Sequence, residues 1–276
     1  MIQSKKWQVP FYVLMSALSL TMIFPFLWMV STSFKFDTQV FTVPVEWIPD
    51  PVNLSNYTQV WVEEPFLLYY KNTVVVAVFA TAGQVIISAM AAYAFSSIEF
   101  KGKNILFSLY LATMMVPWHT IMIPQYQIIS RLGLTDTHAA LILGQLASAF
   151  GIFLLRQFFL TVPGELMEAA RIDGAGEGYI FAKVMLPLAK PALSTLIIFT
   201  FVQVWNDYTA PLIYLNTKEK YTIQLGLTFF QSEHTMQYTV IMAGTVCALI
   251  PIIITYLIFE KQITNGMVHS LSLIHI

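Results

Sequence analysis

A run of charged side chains interrupts an otherwise apolar sequence between residues 163 and 191. Acidic groups outnumber basic ones in it, and two long apolar runs with almost no charge flank it. The charged residues are Glu165, Glu168, Arg171, Asp173, Glu177, Lys183 and Lys190. Because each flanking run is long enough to cross a bilayer, this placement predicts a water-exposed loop between two membrane spans.

Local signals divide this loop into a helix, a glycine turn and a second helix. Pro163 suits the first helical position, where its missing N–H has no cost, and Gly174 supplies the left-handed residue that commonly ends a helix. Leu166, Ala169, Ala170 and Asp173 recur at helical spacing. Small side chains on this face allow a partner protein to approach closely. The alternative is a loop that lies on the membrane surface or packs against its own chain, but surface helices are typically basic.

A second polar group lies inside the next apolar run, at Gln203, Trp205, Asn206 and Asp207, 12 to 16 residues beyond Pro191. A helix rises about 1.5 Å per residue, so the group lies roughly 18 to 24 Å along the span, in the outer half of the membrane. A charge at the bilayer centre costs about 2.5–3.5 kcal/mol, so Asp207 is predicted to face water, a partner or a pathway. All four residues of this group are candidate pathway residues. The alternative is an aqueous interface beside Tyr208.

His119 is another polar side chain within an apolar region. It follows Trp118 and lies between Pro117 and Pro124. Carbonyls freed by a proline are tolerated in a membrane only inside a bundle or a cavity, so His119 is a candidate pathway residue in a broken helix. A histidine hydrogen-bonded to another helix is the favoured alternative.

Catalytic and metal sites are not indicated. The sequence contains no Gly, four residues, then Gly-Lys-Ser or Gly-Lys-Thr, so it has no phosphate-binding loop of that type. The five histidines are scattered singly, and Cys247 is the only cysteine, which excludes an internal disulfide. A net charge of -1 gives no excess of basic residues of the kind that nucleic-acid binding requires. We therefore expect no catalytic, metal or cofactor site, and ATP must bind to another chain if it drives the process.

Composition identifies the elements that carry these residues. Of the 276 residues, 57% are hydrophobic and 11% charged, and the mean hydropathy is +0.68, which is typical of a polytopic membrane protein. An all-α fold with six transmembrane helices is predicted, and the segments 35–70 and 214–237 are predicted as extramembrane loops. The spans are 11–34, 72–95, 104–123, 138–160, 192–213 and 238–259. Small residues crowd the second span, which predicts a closely packed inner helix.

Basic residues set the orientation of these spans. Nine Lys or Arg side chains fall on the side of the charged loop and of both termini, and five fall on the other side. The positive-inside rule therefore places the charged loop and both termini in the cytoplasm.

The charged loop also carries a multi-residue pattern with fixed spacing. The order Glu168-Ala169-Ala170, Gly174, Val184 and Leu186-Pro187 resembles the EAA loop of bacterial ABC importer permeases, with Val184 where that family more often has Ile. The wider form EAARIDGA is similar to the sugar-importer, maltose-type branch, and so is the WND run followed by Pro211-Leu212. The resemblance extends from Trp7 to about Met267.

This resemblance implies a cytoplasmic coupling helix that docks in a groove on a separate ATPase subunit, where ATP and Mg²⁺ bind. The implied partners are a pair of ATP-binding subunits, a second permease subunit, most often a different chain, an extracytoplasmic solute-binding protein and a sugar or oligosaccharide. The implied location is the bacterial cytoplasmic (inner) membrane. The implied coupling residues are Glu165, Glu168, Ala169, Ala170, Asp173, Gly174, Leu186 and Pro187.

We interpret residues 1–270 as one permease domain with its coupling loop at 161–191. Residues 271–276 read LSLIHI, which matches a translated sequencing adapter, so a non-native tail is expected there. The main rival is an ion- or proton-coupled secondary transporter. Against it stand the near absence of intramembrane carboxylates and the lack of a visible pair of broken-helix halves. A third hypothesis, an integral-membrane enzyme, is not supported, because the sequence shows no set of catalytic residues.

Overall fold

The structure, a computed structural model, describes residues 5–62, 65–228 and 237–272. In this part of the chain the regular elements are all helical, which confirms the all-α prediction. The longer helices are α1 (Lys5–Ser33), α2 (Ser55–Val62), α3 (Phe66–Ser97), α4 (Lys103–Ala112), α5 (Trp118–Arg131), α6 (His138–Gln145), α7 (Ala149–Phe159), α8 (Gly164–Ile172), α11 (Lys190–Trp205), α12 (Thr209–Tyr214), α13 (Ile223–Leu227) and α14 (Tyr238–Ser272). The short α9 (Glu177–Tyr179) and α10 (Leu186–Leu188) flank a π-helix, Ile180–Met185.

Three single helices in the described chain are long and apolar enough to span a membrane: Gln8–Ser33, Phe66–Ser97 and Tyr238–Lys261. Three further crossings result if each of three bent helix pairs counts as one span, which gives up to six. The pairs are Lys103–Met115 with Trp118–Arg131 (bent by 103°), His138–Gln145 with Ala149–Phe159 (41°), and Glu177–Leu188 with Lys190–Trp205 (79°). The bend between Met115 and Trp118 agrees with the broken helix expected around His119, and the described chain contains bent helix pairs although no pair of broken-helix halves was visible in the sequence.

Proline and serine account for two of these bends. Pro117 has an extended backbone (φ −60°, ψ 136°), and its ring prevents a continuous helix through the predicted span 104–123. Ser148 begins α7, where its Oγ accepts a hydrogen bond from the Gly151 N–H at 3.1 Å. Hydropathy alone identified these spans, but not their direction changes.

Several predicted boundaries also need correction. The loop predicted at 35–70 contains α2, and α3 begins at Phe66 rather than at residue 72, with Phe66 and Tyr69 fully buried. The loop predicted at 214–237 contains α13, and its residues 229–236 lie outside the described chain. The last helix continues to Ser272, and residues 273–276 of the suspected tail are likewise outside it.

Contacts divide the chain into two compact units. The first comprises Met1–Leu67 and Gly226–Ile250, and the second comprises Leu68–Leu225 and Pro251–Ile276. In the first, the Asn53 and Asn56 amides both donate to the Lys35 carbonyl, and Asp37 Oδ1 accepts from the Thr239 hydroxyl at 2.9 Å. Buried amides thus fix the chain where it leaves α1.

In the second unit, Asp136 joins two loops. It adopts a positive φ of 57°, and its Oδ1 accepts the N–H groups of Asn216 and Thr217 at 2.9 and 3.0 Å. Lys220 Nζ donates to Oδ2 at 2.8 Å. These donors, Lys220 foremost, hold the pKa of the Asp136 carboxyl below its usual value.

The second unit packs around the small residues of α3, whose prediction as a closely packed helix is confirmed. Ala77, Ala80, Ser88 and Ala92 are fully buried. A Cβ added to Gly151 in α7 would lie 2.6 Å from Ser88 Oγ and 3.2 Å from Leu196 Cδ1. The absence of a side chain at Gly151 therefore allows α7 to approach α3 and α11 closely.

We expect Gly151→Val to destabilise this packing, because no space exists for the added carbons. Overpacking of this kind costs about 1–3 kcal/mol, which lowers the thermal unfolding midpoint by about 2–4 °C per kcal/mol. The measurement is a melting curve of the purified chain in detergent. Gly178→Ala is the control, since a Cβ at Gly178 would meet nothing within 4 Å. Equal midpoints for the two variants would contradict the packing argument.

Candidate functional site

The first helix and turn of the coupling loop (residues 161–191) form as predicted, with one shift. Pro163 is the N-cap of α8, so the first helical residue is Gly164. At the other end Gly174 has φ 82°, its N–H donates to the Arg171 carbonyl, and the Ala175 N–H donates to the Ala170 carbonyl, each at 3.0 Å. A Cβ at Gly174 would meet nothing within 4 Å. The requirement for glycine is therefore purely one of backbone conformation.

The second half of the loop is anchored in the protein core. Ile180 and Met185, at the two ends of the π-helix, are fully buried in a cluster with Tyr93 and Phe159. Leu186 packs against the same cluster, while Pro187 is exposed. The base of the coupling loop is thus rigid, and π-helical turns of this kind are often found at functional sites.

The residues predicted to form the docking face of α8 lie on two different sides of that helix. Ala170 and Met167 are partly buried against the core, so Ala170 belongs to the inner side of the helix. The exposed side carries Glu165, Glu168, Ala169, Asp173 and Gly174, together with Leu166, which is 46% exposed, and Ile172, which is 86% exposed. Sequence reasoning missed Ile172, although its i+3 spacing from Ala169 would have placed it on this face.

A hydrogen-bond network ties the coupling loop to α3. The Tyr93 hydroxyl donates to Glu177 Oε2, and Arg171 Nε donates to Glu177 Oε1 at 2.8 Å. Arg171 first, and then Tyr93, lowers the pKa of the Glu177 carboxyl, which therefore stays ionised near neutral pH. Glu177 thus holds the end of α8 and the start of α9 against a membrane helix.

A cleft of about 600 Å³ lies where the bent helices change direction. Trp118 and Gln125 of α5, Gln145 of α6 and Gln203 of α11 all line it. The Trp118 Nε1–H donates to Gln125 Oε1 at 3.0 Å, and Gln203 Nε2 lies 3.5 Å from Gln145 Oε1. Gly144 permits this arrangement, because a Cβ there would lie 3.0 Å from Gln125 Nε2.

Three of the five predicted pathway residues come together at this cleft. His119, Gln203 and Asp207 share its adjoining part with Trp118 and Gln145. In the described chain the His119 ring contacts the neighbouring Trp118 edge-on at 5.5 Å and makes no hydrogen bond to another helix. The described chain therefore offers the interhelical alternative no hydrogen bond, and the role of His119 stays a prediction.

Trp205 and Asn206 do not line the cleft. Trp205 is only 1% exposed and stacks on Phe201 with ring centroids 5.4 Å apart, because it projects from the opposite side of α11 to Gln203. Asn206 is exposed, but its amide donates to the Val202 carbonyl at 2.9 Å and accepts from Gln224. Its role is to end α11 and to hold Gln224 there.

Comparison with known proteins identifies the chain's relatives. The family described as "Binding-protein-dependent transport system inner membrane component" matches residues 84–264. The arabinooligosaccharides transport system permease protein AraQ of Bacillus subtilis is 34% identical over 255 residues, which cover 91% of this chain and 90% of that protein. The sn-glycerol-3-phosphate transport system permease protein UgpE of Yersinia enterocolitica is 36% identical over 242 residues, which cover 85% and 86%.

A solved structure supports the same relationship. One chain of a bacterial ABC transporter involved in the import of the acidic polysaccharide alginate superposes with a TM-score of 0.83. It is 28% identical in sequence, and the match covers 95% of this chain and 99% of that one.

We expect Tyr93→Phe to loosen the coupling loop without unfolding it, because Glu177 keeps its bond to Arg171. Glu177 is half-exposed, so water partly replaces the lost hydroxyl. The free energy of local opening therefore falls by about 1 kcal/mol, which raises the equilibrium constant for opening roughly fivefold. Amide hydrogen exchange of residues 175–180 should accelerate by that factor. Tyr110→Phe is the control, because Tyr110 packs against the same core and its hydroxyl has no hydrogen bond in the described chain. Unchanged exchange in Tyr93→Phe would refute the proposed anchor.

Proposed function

Because this chain belongs to the family of binding-protein-dependent transport system inner membrane components, and is thus the permease subunit of an ABC importer, we propose that it carries a sugar or oligosaccharide. Its role is mechanical. The chain relays movements of a separate ATPase pair, through α8, into alternating access of a pathway that it forms with a second permease subunit. The relatives named for arabinooligosaccharides and alginate support a carbohydrate substrate.

One observation carries the proposed mechanical role. Helix α8 has an exposed face, while both ends of the π-helix that follows it are buried in the core. Glu165, Glu168 and Asp173 are exposed together with Ile172, whose side chain is 86% exposed. A large apolar side chain within a charged rim is a common anchor of protein interfaces, and it supports docking more than contact with lipid headgroups. Because Ile180 and Met185 are buried, a force on α8 would move the core with it.

The expected assembly follows from this role. A pair of cytoplasmic ATP-binding subunits would hold ATP and Mg²⁺, and an extracytoplasmic solute-binding protein would deliver the sugar. The family is one of inner membrane components. The excess of Lys and Arg on the coupling-loop side supports a bacterial multi-pass protein with that loop and both termini in the cytoplasm. His119, Gln203 and Asp207 are the proposed pathway residues of this chain, and Trp205 and Asn206 are not among them.

The ion- or proton-coupled secondary transporter is not favoured. Bent helix pairs are present, so their expected absence no longer argues against it. Family membership and the permease relatives decide instead for the ABC importer.

We expect the purified chain alone to hydrolyse no ATP, because the sequence has no phosphate-binding loop of the Gly-Lys-Ser/Thr type. Hydrolysis should appear when its ATPase partner is added. Phosphate release is the measurement, and a preparation carrying a substitution in the ATPase phosphate-binding loop controls for contaminants. Turnover by this chain alone would overturn the division of labour.

We expect Gly174→Val and Glu168→Lys to lose sugar uptake while reaching the membrane at ordinary levels. Valine at φ 82° costs about 1–2 kcal/mol of backbone strain, which corresponds to roughly 5–30-fold weaker docking. Glu168→Lys instead reverses one charge on the exposed face. The measurements are uptake in cells and co-purification of the ATPase.

Matched controls separate coupling from general damage. Gly102→Val introduces the same strain, since Gly102 also has φ 82° and open space around it, but it lies outside the coupling loop. Glu99→Lys reverses an exposed carboxylate in the turn that contains Gly102, and it is the control for Glu168→Lys. Gly174→Asn is a second control for Gly174→Val, because asparagine tolerates positive φ. If Gly174→Val and Glu168→Lys transport as well as these controls, α8 is only a surface loop.

A further inference from the structure

We infer that the cleft lined by Trp118, Gln125, Gln145 and Gln203 binds a neutral, hydroxyl-rich solute and rejects anionic ones. This inference rests on the proposed function and narrows its substrate class. It distinguishes the chain from relatives named for sn-glycerol-3-phosphate and for the acidic polysaccharide alginate.

The amide groups of the cleft have free hydrogen-bonding capacity. Each glutamine offers two N–H donors and a carbonyl with two lone pairs. Gln125 uses its carbonyl for the Trp118 indole, and Gln203 and Gln145 share one contact of 3.5 Å. In the described chain, Nε2 of Gln125, Nε2 of Gln145 and Oε1 of Gln203 make no hydrogen bond to protein. A hydroxyl both donates and accepts, so a sugar can satisfy all three groups without any change of charge.

Trp118 provides the apolar part of the site. Its N–H is held by Gln125 at 3.0 Å, and His119 contacts it edge-on, so the orientation of the ring is fixed. The face of an indole is electron-rich and apolar, which suits the C–H face of a sugar ring. A mostly apolar wall with a few oriented polar groups is the usual composition of a small-molecule site.

The charges of the residues that line the cleft disfavour binding of an anionic solute. None of the described residues that line its two parts is Lys or Arg. The one ionisable carboxylate among them belongs to Asp207, whose Oδ1 accepts the Ala210 N–H at 3.1 Å. On this chain a phosphate or uronate would therefore meet no Lys or Arg and would lie beside a like charge, which disfavours its desolvation.

The test is saturation-transfer NMR on the full transporter, this chain with its permease and ATPase partners in nanodiscs. The binding protein is left out, because its own specificity would mask that of the cleft. The probes are arabinotriose, which is neutral, and trigalacturonate, which is anionic, at equal concentration. We expect the arabinotriose signal to exceed the trigalacturonate signal by about tenfold or more.

Three variants assign the signal to the cleft. Gln145→Leu and Gln203→Leu should each reduce the arabinotriose signal by about fivefold or more, since an amide partner of a hydroxyl is lost. Gln157→Leu, a change of the same type at an exposed position of α7 outside the cleft, should leave it unchanged. Gln203→Lys should raise the trigalacturonate signal several-fold, a gain that misfolding does not produce.

Comparable signals from the two probes, or wild-type arabinotriose signals in both leucine variants, would overturn the inference. ATPase association and ATP hydrolysis stimulated by the binding protein are measured on the same preparations. If both persist while the charge preference is absent, the inference alone fails and the proposed function stands. If the wild-type chain neither binds the ATPase nor supports hydrolysis, the proposed function fails and the inference fails with it.

Discussion

Backbone polar groups freed inside a membrane must find partners within the protein, and this constraint explains where the polar side chains lie. At the break before α7, Ser148 Oγ accepts the Gly151 N–H. At the end of α11, Asn206 donates to the Val202 carbonyl, and Asp207 accepts the Ala210 N–H. Trp118 and Gln145 stand directly beside such breaks. The cleft therefore lies where these helix breaks come together.

Helix α3 links this cleft to the coupling loop. Tyr93 near its end holds Glu177, while Gln84 lines the cleft and donates from Nε2 to Thr200 Oγ1 of α11 at 2.7 Å. Nine residues of helix separate the two positions, or about 13.5 Å at 1.5 Å per residue. The small residues of α3 bring α7 and α11 against the same helix. The loop base and the cleft therefore share one closely packed support.

Sequence reasoning succeeded where the cause is local or compositional. Gly174 could be predicted because only the backbone conformation requires glycine there, and the spans could be predicted because a bilayer imposes a minimum length. Trp205 could not be placed correctly, since α11 is apolar on all sides and no periodicity shows which side faces the cleft. The bond between Tyr93 and Glu177 joins residues 84 positions apart, and no pattern in the sequence indicates it.

The distribution of charge in the second unit follows from the same membrane constraint. Carboxylates that organise structure lie in its loops: Asp136 binds Lys220 before the fourth span, and Glu177 binds Arg171 after it. In the cleft, where an unpaired charge would be costly, Gln84, Gln125, Gln145 and Gln203 supply polarity without charge, and Asp207 is the one carboxylate among the described lining residues. An amide can satisfy backbone groups, neighbouring side chains and a passing hydroxyl in turn, and the exchange leaves no ion uncompensated. The described lining of the cleft is therefore polar without any Lys or Arg, because amides supply most of its hydrogen-bonding groups.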